Sequence, residues 1–385
     1  MIYILGAGPG NGEMLTQRSA ELLRDADVVA GSGRLGSLAE KLCGKKFIQC
    51  FGARETAELL KGFKDKKCAV LFSGDTGFFS GAKMLLRELE GMEYEIIPGV
   101  SSISYFCAKT GESYDDAFIV SSHGRECNIV SHVRGHKKTI ALLGENPCAK
   151  LAEYGFGNLR VYLGERLSYD DEKISCGTVN EFAKYKPDPL SVIMIINGAP
   201  SERRFGIGDD EFIRGSVPMT KSEIRALAMS KLDIKAADIC VDVGAGTGSV
   251  SVEMALGCPF GKVYAVERND EGAELIGKNA RKFKTDNIEI IRGAAPGALP
   301  DIVPGKAFIG GSGGSLAEII KRLYALNRGI KIVITAVTLE TVSEACAVLD
   351  KFHADYTVTQ IFAARSVRAG GKTLMKAQNP VFVIG

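Results

Sequence analysis

A short glycine-rich segment offers the clearest chemistry in this chain. Residues 241–248 read Val-Asp-Val-Gly-Ala-Gly-Thr-Gly and close an apolar run typical of a buried strand. Glycines let backbone approach a ligand closely, and the first N–H groups of a following helix have no partner within it. Glu267 ends the next apolar run, about 20 residues on, where a carboxylate suits a ribose diol. The spacing therefore predicts an adenosine site built from Gly244, Ala245, Gly246, Thr247, Gly248 and Glu267.

The third glycine position separates two kinds of adenosine ligand. A dinucleotide fingerprint requires glycine at position 249, where this chain has Ser249. The observed spacing favours S-adenosylmethionine over a nicotinamide dinucleotide. A strand–turn–helix corner without any ligand stays open as an alternative, because a glycine pattern alone is a weak signal.

The composition is that of a globular protein. The 385 residues are 45% hydrophobic and 24% charged, with a net charge of +2, enough for roughly two or three domains of ~150 residues. The lack of a long basic run disfavours a nucleic-acid partner. No apolar stretch approaches the ~20 residues of a membrane span, and the start of the chain lacks a charged leader. Ten scattered cysteines without a CxxC pair predict mostly small, buried side chains in a reducing compartment. We therefore expect a soluble, cytoplasmic protein without a membrane partner.

The chain reads as two α/β halves. Strand-like runs end in glycine turns at Gly6 and again at Gly244, and the polar, glycine-rich segment 199–216 lies between them. This pattern predicts one domain over 1–205 and another over 206–385. The later part of the first half is richer in strands, which favours subdomains over 1–112 and 113–200.

Short apolar runs bounded by turn residues predict the strands. In the first half they cover residues 3–5, 26–30, 68–72, 95–97, 117–120, 139–143, 159–163 and 190–196. In the second half they cover 240–243, 262–267, 288–292, 306–309, 331–335, 356–362 and 381–384. Helices over 16–25 and 81–90 separate the early strands, and this alternation is typical of an α/β fold.

Several loops of the first half follow predicted strands. The loop 6–10 is a poor dinucleotide site, because Pro9 removes a backbone donor and the next strand ends at Gly31 without an acid. We interpret it as a tight turn bordering a cleft. The loops 73–79, 98–102 and 121–125 also follow strands, so they can converge on one crevice at the carboxyl edge of a sheet.

The motifs in these loops resemble the tetrapyrrole methylase family. They are Gly-Ala-Gly-Pro-Gly, Ser-Gly-Asp-Thr-Gly-Phe-Phe, Ile-Pro-Gly-Val-Ser-Ser and Ser-His-Gly-Arg, in this order. The second half, with Pro-Met-Thr-Lys at 218–221, the glycine loop and Phe-Ile-Gly-Gly-Ser-Gly-Gly at 308–314, is similar to decarboxylating carbon-15 methyltransferases of cobalamin biosynthesis. The resemblance covers nearly the whole chain. It implies a tetrapyrrole methylase fold of two α/β subdomains followed by a Rossmann-like class I methyltransferase domain.

The resemblance also implies two S-adenosylmethionine sites per chain. In the first half the matching cofactor positions are Ser73, Gly74, Asp75, Phe78, Ser101, Ser102 and Leu143. In the second half they are Thr220, the segment Gly244 to Gly248, Glu267, Ala294 and Ala295. Relatives often carry an acid where Ala294 stands, so adenine recognition there is expected to fall to backbone groups.

The implied substrate is a small-molecule tetrapyrrole rich in acetate and propionate groups, which need cations and N–H donors. We assign substrate contacts to Gly8, Pro9, His123 and Arg125 in the first half and to Lys221, Gly311, Ser312 and Gly313 in the second. Further cationic candidates are Arg268, Arg365, Arg368 and Lys372. Thr220 is the catalytic candidate for decarboxylation, together with the loop 310–314.

No metal is predicted. His132 and His136 are four residues apart, but neither an intervening glutamate nor a third ligand accompanies them. The conjugated macrocycle can accept the electrons of decarboxylation, so no further cofactor is expected. Alternatives are another small-molecule or RNA methyltransferase with an unrelated N-terminal domain, a non-catalytic S-adenosylmethionine sensor, and a nicotinamide oxidoreductase. Analogy with relatives predicts a homo-oligomer, either a dimer or a tetramer.

Overall fold

The chain folds into two compact units. The computed structural model describes residues 1–50, 52–122, 127–201 and 206–385. The N-terminal unit comprises Met1–Cys127, His136–Ala152 and Gly157–Ala199, and the C-terminal unit comprises Asn128–Gly135, Glu153–Phe156 and Pro200–Gly385. The predicted boundary at residue 205 lies outside the described residues.

The first sheet of the N-terminal unit has five parallel strands. They are β1 (Ile2–Gly6), β2 (Val28–Gly31), β3 (Phe47–Gln49), β4 (Cys68–Phe72) and β5 (Tyr94–Ile97). Their order is β3-β2-β4-β1-β5. The helices of this region are α1 (Gln17–Asp25), α2 (Gly36–Cys43), α3 (Ala53–Lys61), α4 (Ala82–Glu88) and α5 (Ser102–Thr110). Because every pair is parallel, the loops after all five strands open at one edge.

Both faces of this sheet are covered by helices. Leu5 and Leu71 pack in one cluster with residues of α1 and α2, and Ile4 and Val70 pack on the opposite face with residues of α3 and α4. Burial on two faces explains why the central strands are continuous apolar runs and do not alternate with polar residues.

The second sheet of the N-terminal unit is mixed. Its strands are β6 (Phe118–Ser121), β7 (Lys138–Leu142), β8 (Arg160–Glu165), β9 (Lys173–Thr178) and β10 (Ser191–Ile196). Their order is β6-β7-β10-β8-β9, with only the pair β6–β7 parallel among the described residues. The helices along this stretch of chain are α6 (Ile129–Gly135), α7 (Cys148–Leu151) and α8 (Val179–Phe182). The sheets β1–β5 and β6–β10 lie on either side of residue 112, where the sequence predicts the subdomain boundary.

The C-terminal unit is built on a seven-stranded sheet. Its strands are β11 (Ile239–Val243), β12 (Lys262–Glu267), β13 (Ile288–Arg292), β14 (Lys306–Ile309), β15 (Lys331–Ala336), β16 (Val358–Ile361) and β19 (Val381–Ile384). They lie in the order β13-β12-β11-β14-β15-β19-β16, and β19 is antiparallel to its neighbours. The helices are α9 (Ser222–Leu232), α10 (Ser249–Gly257), α11 (Asp270–Phe283), α12 (Leu316–Leu326) and α13 (Leu339–Lys351). A separate two-stranded ribbon pairs β17 (Ala364–Ala369) with β18 (Lys372–Ala377).

The predicted α/β fold is confirmed. Each predicted strand matches an observed strand to within two residues at both ends, and the predicted helix 16–25 is α1 with Thr16 as its N-cap. The sequence reading missed β3, β9, β17 and β18. These strands lack a buried apolar run, and every residue of β18 is exposed.

Two further observations concern composition. In the part of the chain that the structure describes, no helix combines the length and apolarity that a membrane crossing requires. Six of the ten cysteines are buried, in agreement with the prediction that most serve as small hydrophobic side chains; they are Cys50, Cys68, Cys107, Cys148, Cys240 and Cys258.

Candidate functional site

Glycines draw together the loops that follow β1, β4 and β5. The backbone N–H of Gly8 donates to the carbonyl of Gly74 at 3.2 Å, and the N–H of Gly74 donates back to Gly8 at 2.8 Å. A Cβ placed on Gly6 would lie 2.5 Å from the nitrogen of Gly99, and one on Gly99 would lie 2.4 Å from the carbonyl oxygen of Gly74. No other residue type fits this close approach of backbones.

Asp75 fastens two of these loops to each other. Its Oδ2 accepts a hydrogen bond from the N–H of Gly99 at 3.0 Å, and its Oδ1 accepts one from Gly77 at 2.9 Å. The carboxylate thus joins the loop after β4 to the loop after β5. Asp75 therefore stabilises the shape of the crevice and also lines it.

The N-terminus of α5 adds polar groups to the same crevice. Ser101 is the N-cap, and its Oγ accepts a hydrogen bond from the N–H of Ser104 at 3.0 Å. Ser102 begins the helix, so its first-turn N–H groups lack carbonyl partners within the helix. Polar ligand atoms are favoured at such a position.

These loops and the second sheet enclose one cavity, which we call the N-terminal cavity, of about 270 Å³. Seven residues predicted to bind cofactor line it, together with Pro9; the seven are Ser73, Gly74, Asp75, Phe78, Ser101, Ser102 and Leu143. Gly8 lies in the backbone bridge to Gly74 and is not among the lining residues described. His123 and Arg125 lie outside the described residues.

Arg34 and Tyr169 are among the residues of this cavity that sequence reasoning missed. Arg34 lines it from the turn after β2, and Tyr169 lines it from the segment after β8. Tyr169 also packs on the glycine loop, since a Cβ on Gly10 would lie 2.5 Å from its ring. Arg34 could have been found, because it too follows a parallel strand at the carboxyl edge. Tyr169 carries no comparable signal.

The glycine loop of the C-terminal unit packs backbone against backbone. Gly244, Gly246 and Gly248 have left-handed φ values of 68°, 56° and 76°. A Cβ on Gly244 would lie 2.5 Å from the carbonyl oxygen of Gly311, and one on Gly246 would lie 2.6 Å from that of Pro218. The loop after β11 is therefore in direct contact with the loop after β14 and with the segment before α9.

Glu267 is held at the end of β12 by backbone donors. Its Oε2 accepts from the N–H of Gly246, and its Oε1 accepts from the N–H of Asn269, both at 2.8 Å. The side chain is 8% exposed. Each carboxylate oxygen retains a second lone pair, so the group can still accept hydrogen bonds from a diol.

A second cavity, the C-terminal cavity, lies over these loops and has a volume of about 320 Å³. The predicted residues that line it are Gly244, Gly246, Glu267, Ala294, Ala295, Gly311, Ser312 and Gly313. Ala245, Thr247 and Gly248 belong to the same loop but face inward: Ala245 packs against Ala265 and Ile276, and Thr247 is fully buried.

The structure does not bring Thr220 and Lys221 to the lining of the C-terminal cavity. Val217 and Pro218, from the same segment, line it instead. The carbonyl of Thr220 accepts a hydrogen bond from Arg225 Nη1 at 2.7 Å, and the carbonyl of Lys221 accepts one from the Arg225 N–H at 2.8 Å. The catalytic and substrate roles of these two residues stay predictions.

A buried ion pair supports this segment. Arg225 and Glu253 are both fully buried, and Nε of Arg225 lies 2.7 Å from Oε1 of Glu253. The same guanidinium donates to the carbonyls of Thr220 and Ile207. Glu253 compensates the buried charge of Arg225. The guanidinium in turn holds the segment before α9 in place through these carbonyls.

Two cationic candidates of the second half, Arg268 and Arg365, have different surroundings. Arg268 lines the C-terminal cavity, and a Cβ on Gly313 would lie 2.9 Å from its Nη1. Arg365 lies elsewhere, with Nη1 2.7 Å from Oδ2 of Asp209 and Nη2 2.5 Å from Oε2 of Glu223. The hydrogen bond from the Arg365 guanidinium is the main cause that lowers the pKa of Glu223 to about 2. Arg268 is therefore available to a ligand of this cavity, and Arg365 is committed to ion pairs.

Asp242 lies in β11, directly before the glycine loop. It is fully buried, its Oδ2 accepts a hydrogen bond from the Ser251 hydroxyl at 2.5 Å, and its Oδ1 has no partner. Burial is the main cause that raises the pKa of this carboxyl to about 7, and the charge of Glu267 raises it further. Across residues 1–50, 52–122, 127–201 and 206–385, no group of three histidine, cysteine or acidic side chains is placed to hold a metal ion.

Comparison with known proteins covers both halves of the chain. The model of the tetrapyrrole (corrin/porphyrin) methylases matches residues 1–183, and that of the precorrin methyltransferase domain matches residues 211–384. A probable cobalt-precorrin-6B C(15)-methyltransferase (decarboxylating) from Pyrobaculum calidifontis is 45% identical over 184 residues, which are 46% of this chain and 94% of the relative.

One relative spans both halves. A precorrin-6Y C(5,15)-methyltransferase (decarboxylating) from a Sinorhizobium species is 29% identical over 394 residues, covering 99% of this chain and 94% of the relative. Among solved structures, a precorrin-6Y C5,15-methyltransferase from Geobacter metallireducens is 36% identical, with a TM-score of 0.44. It covers 47% of this chain and 95% of that chain.

Proposed function

Because the chain belongs to the decarboxylating precorrin methyltransferases, which use S-adenosylmethionine, we propose that it methylates carbons 5 and 15 of a precorrin or cobalt-precorrin in cobalamin biosynthesis. We assign carbon 5 to a domain over 1–205. We assign carbon 15, and the loss of one acetate carboxyl group, to a domain over 206–385. The cytoplasmic location and the homo-oligomer stay predictions.

The observation that carries this proposal is the pair of glycine-lined cavities, one in each unit. Both lie at the carboxyl ends of parallel strands, where open α/β sheets bind ligands. We propose one donor site in each cavity. A chain that catalysed a single methyl transfer would need only one such cavity.

The residues of the C-terminal cavity fit an adenosine ligand. A Cβ at Gly244 or Gly246 would lie 2.5 or 2.6 Å from backbone oxygen atoms, so glycine at these positions lets the loop pack directly against the neighbouring backbone. Glu267 presents a fixed carboxylate for the ribose hydroxyls. Ala294 and Ala295 leave room for an adenine ring, which backbone groups then recognise.

The residues of the N-terminal cavity fit the same donor differently. Backbone groups of Gly74 and the first turn of α5 offer hydrogen bonds, and Phe78 and Leu143 offer apolar surface. An acid comparable to Glu267 does not follow β2, and Asp75 is engaged by the N–H groups of Gly77 and Gly99. Donor binding here therefore rests on loop backbone.

Positioning is the main contribution of the protein to methyl transfer. When bound, S-adenosylmethionine supplies an electrophilic methyl group whose S–C bond breaks as a ring carbon forms the new C–C bond. The rigid loops hold the two reacting centres in line, which raises the rate without a strong base. Arg268 and the N–H groups of the loop 310–314 are the groups of the C-terminal cavity that can bind substrate carboxylates.

Decarboxylation needs a place for an electron pair. Breaking the bond between the acetate methylene and its carboxylate releases carbon dioxide, and the conjugated macrocycle takes the electrons until the carbon is protonated. In this proposal the loop 310–314 orients the acetate group, and Thr220, which does not line the cavity, is a candidate from the resemblance alone. If both can be altered without loss of decarboxylation, they have no part in the step.

Product mass provides the test. The purified full chain is incubated with a precorrin-6 preparation and S-adenosylmethionine, and the product is followed by mass spectrometry. We expect a gain of two methyl groups and the loss of one carbon dioxide. Gain of one methyl group without loss of carbon dioxide would contradict the assignment of both reactions to this chain.

A further inference from the structure

The N-terminal unit contains a second cavity that has no role so far. This side cavity, of about 420 Å³, lies between the ends of β2 and β4 and the first turns of α3 and α4. Arg34, Ser73 and Phe79 line both the side cavity and the N-terminal cavity. The two spaces therefore adjoin at these three side chains.

Arg34 is the basic residue of this junction. It lies in a single 3-10 turn, Gly33–Leu35, that the buried side chain of Leu35 anchors after β2. Within the described lining of the two cavities, no other basic side chain occurs. Its side chain is exposed and, among the described residues, is part of no hydrogen bond or ion pair. The guanidinium is thus free to bind an anionic group.

Two of the apolar side chains that line the side cavity with Arg34 are exposed. Phe79 is 49% exposed and Met84 is 54% exposed, although both are large hydrophobic residues. Phe79 has a φ of 47°, a left-handed conformation that is unfavourable for a bulky side chain. Its ring packs edge-on against Phe78 with 4.8 Å between ring centroids. The strained backbone and this contact keep the Phe79 ring at the junction.

The acid that lines the N-terminal cavity forms no ion pair with Arg34. Asp75 is the acidic residue of the described lining, and both of its oxygens accept backbone N–H groups. An unpaired guanidinium beside an exposed ring suits a ligand with a flat apolar body and carboxylate arms, since arginine binds carboxylates in a two-pronged geometry.

We propose that the side cavity receives a carboxylate arm of the tetrapyrrole and that Arg34 binds it. The ring system then lies across Phe79, with its reacting edge in the N-terminal cavity. Arg34 is a substrate-binding residue for the methyl transfer assigned to the N-terminal cavity. This inference rests on the proposed function.

Steady-state methyl transfer by the full chain tests it, with Arg34→Ala, Arg34→Lys and a matched control, Arg87→Ala. Arg87 is also exposed but lines neither cavity. For Arg34→Ala we expect the KM for the precorrin, in the methyl transfer assigned to the N-terminal cavity, to rise roughly 10- to 100-fold, because one charged hydrogen-bonded contact is lost. The kcat should stay within about twofold. Arg34→Lys should recover part of the loss, because it keeps the charge but not the planar fork.

Binding of S-adenosylhomocysteine, measured by calorimetry, separates a local role from damage to the fold. It should be unchanged in all three variants. If Arg34→Ala leaves the KM unchanged while the wild type turns over, the inference is wrong and the proposed function stands. If the wild-type chain transfers no methyl group to a precorrin, the proposed function fails and this inference fails with it.

Discussion

Two acidic side chains near the C-terminal cavity differ in their surroundings and therefore in their chemistry. Glu267 accepts two backbone N–H groups at 2.8 Å, which fix its carboxylate at the end of β12. Asp242 is fully buried, has a single hydroxyl partner, and has a pKa raised to about 7. The sequence places both acids beside the glycine loop but cannot show which one faces a ligand. Their hydrogen-bond partners make that distinction.

Replacement of Glu267 should weaken donor binding at the C-terminal cavity alone. In Glu267→Gln the side-chain NH₂ group faces one of the two backbone N–H groups that donate to Glu267, so one hydrogen bond to the side chain is lost. A hydrogen bond to a charged group contributes roughly 1.5 to 3 kcal/mol. We expect S-adenosylhomocysteine to bind this cavity roughly 10- to 100-fold more weakly by calorimetry. Glu289→Gln is the control, because Glu289 pairs with Lys262 and lines neither cavity. Equal affinities for both variants would remove Glu267 from donor binding.

Asp242 should make stability fall as pH rises. Its pKa is higher in the folded chain than its ordinary 3.8, so the folded state binds the proton more tightly than the unfolded state. The free energy of unfolding should then decrease between about pH 4 and about pH 7 and level off above that range. Asp242→Asn should lose this decrease, as measured by urea unfolding at several pH values. Parallel pH profiles for the wild type and the variant would show that Asp242 does not titrate in this range.

At the scale of elements, the loops of the N-terminal cavity depend on contacts that only glycine permits. Gly6 ends β1, Gly74 and Gly99 lie in the loops after β4 and β5, and their backbones approach so closely that a Cβ on Gly6 or Gly99 would not fit. The motifs predict that these loops bind a ligand. These loops touch each other because β4, β1 and β5 are parallel neighbours in the sheet. The sequence alone does not reveal that strand order.

Gly99→Ala should therefore separate the loops and abolish the methyl transfer that we assign to the N-terminal cavity. The new Cβ would lie 2.4 Å from the carbonyl oxygen of Gly74, and backbone must shift to accommodate it. Product mass should show loss of the methyl group that the N-terminal cavity adds. Gly198→Ala is the matched control, since a Cβ on Gly198 would meet no atom within 4 Å other than those of Gly198 and its two chain neighbours. Full double methylation by Gly99→Ala would show that the loops tolerate separation.

The ribbon β17–β18 is held to the rest of its unit through Arg365. This side chain pairs with Asp209 and Glu223, and it holds the pKa of Glu223 at about 2. Arg365 and Glu223 are 37% and 38% exposed, so solvent weakens the pair. Arg365→Gln should raise hydrogen exchange in the ribbon roughly two- to fivefold at pH 7.

The pH dependence of that difference tests its electrostatic origin. A carboxyl with a lowered pKa stabilises the folded state above its ordinary value of 4.5 and loses this effect as pH falls toward about 2. The difference between Arg365→Gln and the wild type should thus narrow below pH 4.5. Arg368→Gln, on the same strand, should exchange as the wild type does. Equal exchange in all three proteins would show that Arg365 does not anchor the ribbon.

At the scale of the whole molecule, the sequence predicts the strands well, and most of the residues that it assigns to two donor sites line two cavities. Strands with buried apolar runs, such as β4 and β12, were predicted without error at either end, because burial on two faces determines their composition. The ribbon β17–β18 was missed, since its exposed residues carry no such pattern. Arg34 and Arg365 could not be told apart as free and paired cations, because ion pairing depends on contacts between distant segments.

The central claim is that one chain holds two separate sites for the same methyl donor. Calorimetric titration of the full chain with S-adenosylhomocysteine tests it most directly. We expect two molecules bound per wild-type chain and one per chain in Gly99→Ala and in Glu267→Ala, with none in the double variant. A single site in the wild type, or a site that both substitutions abolish together, would contradict the account.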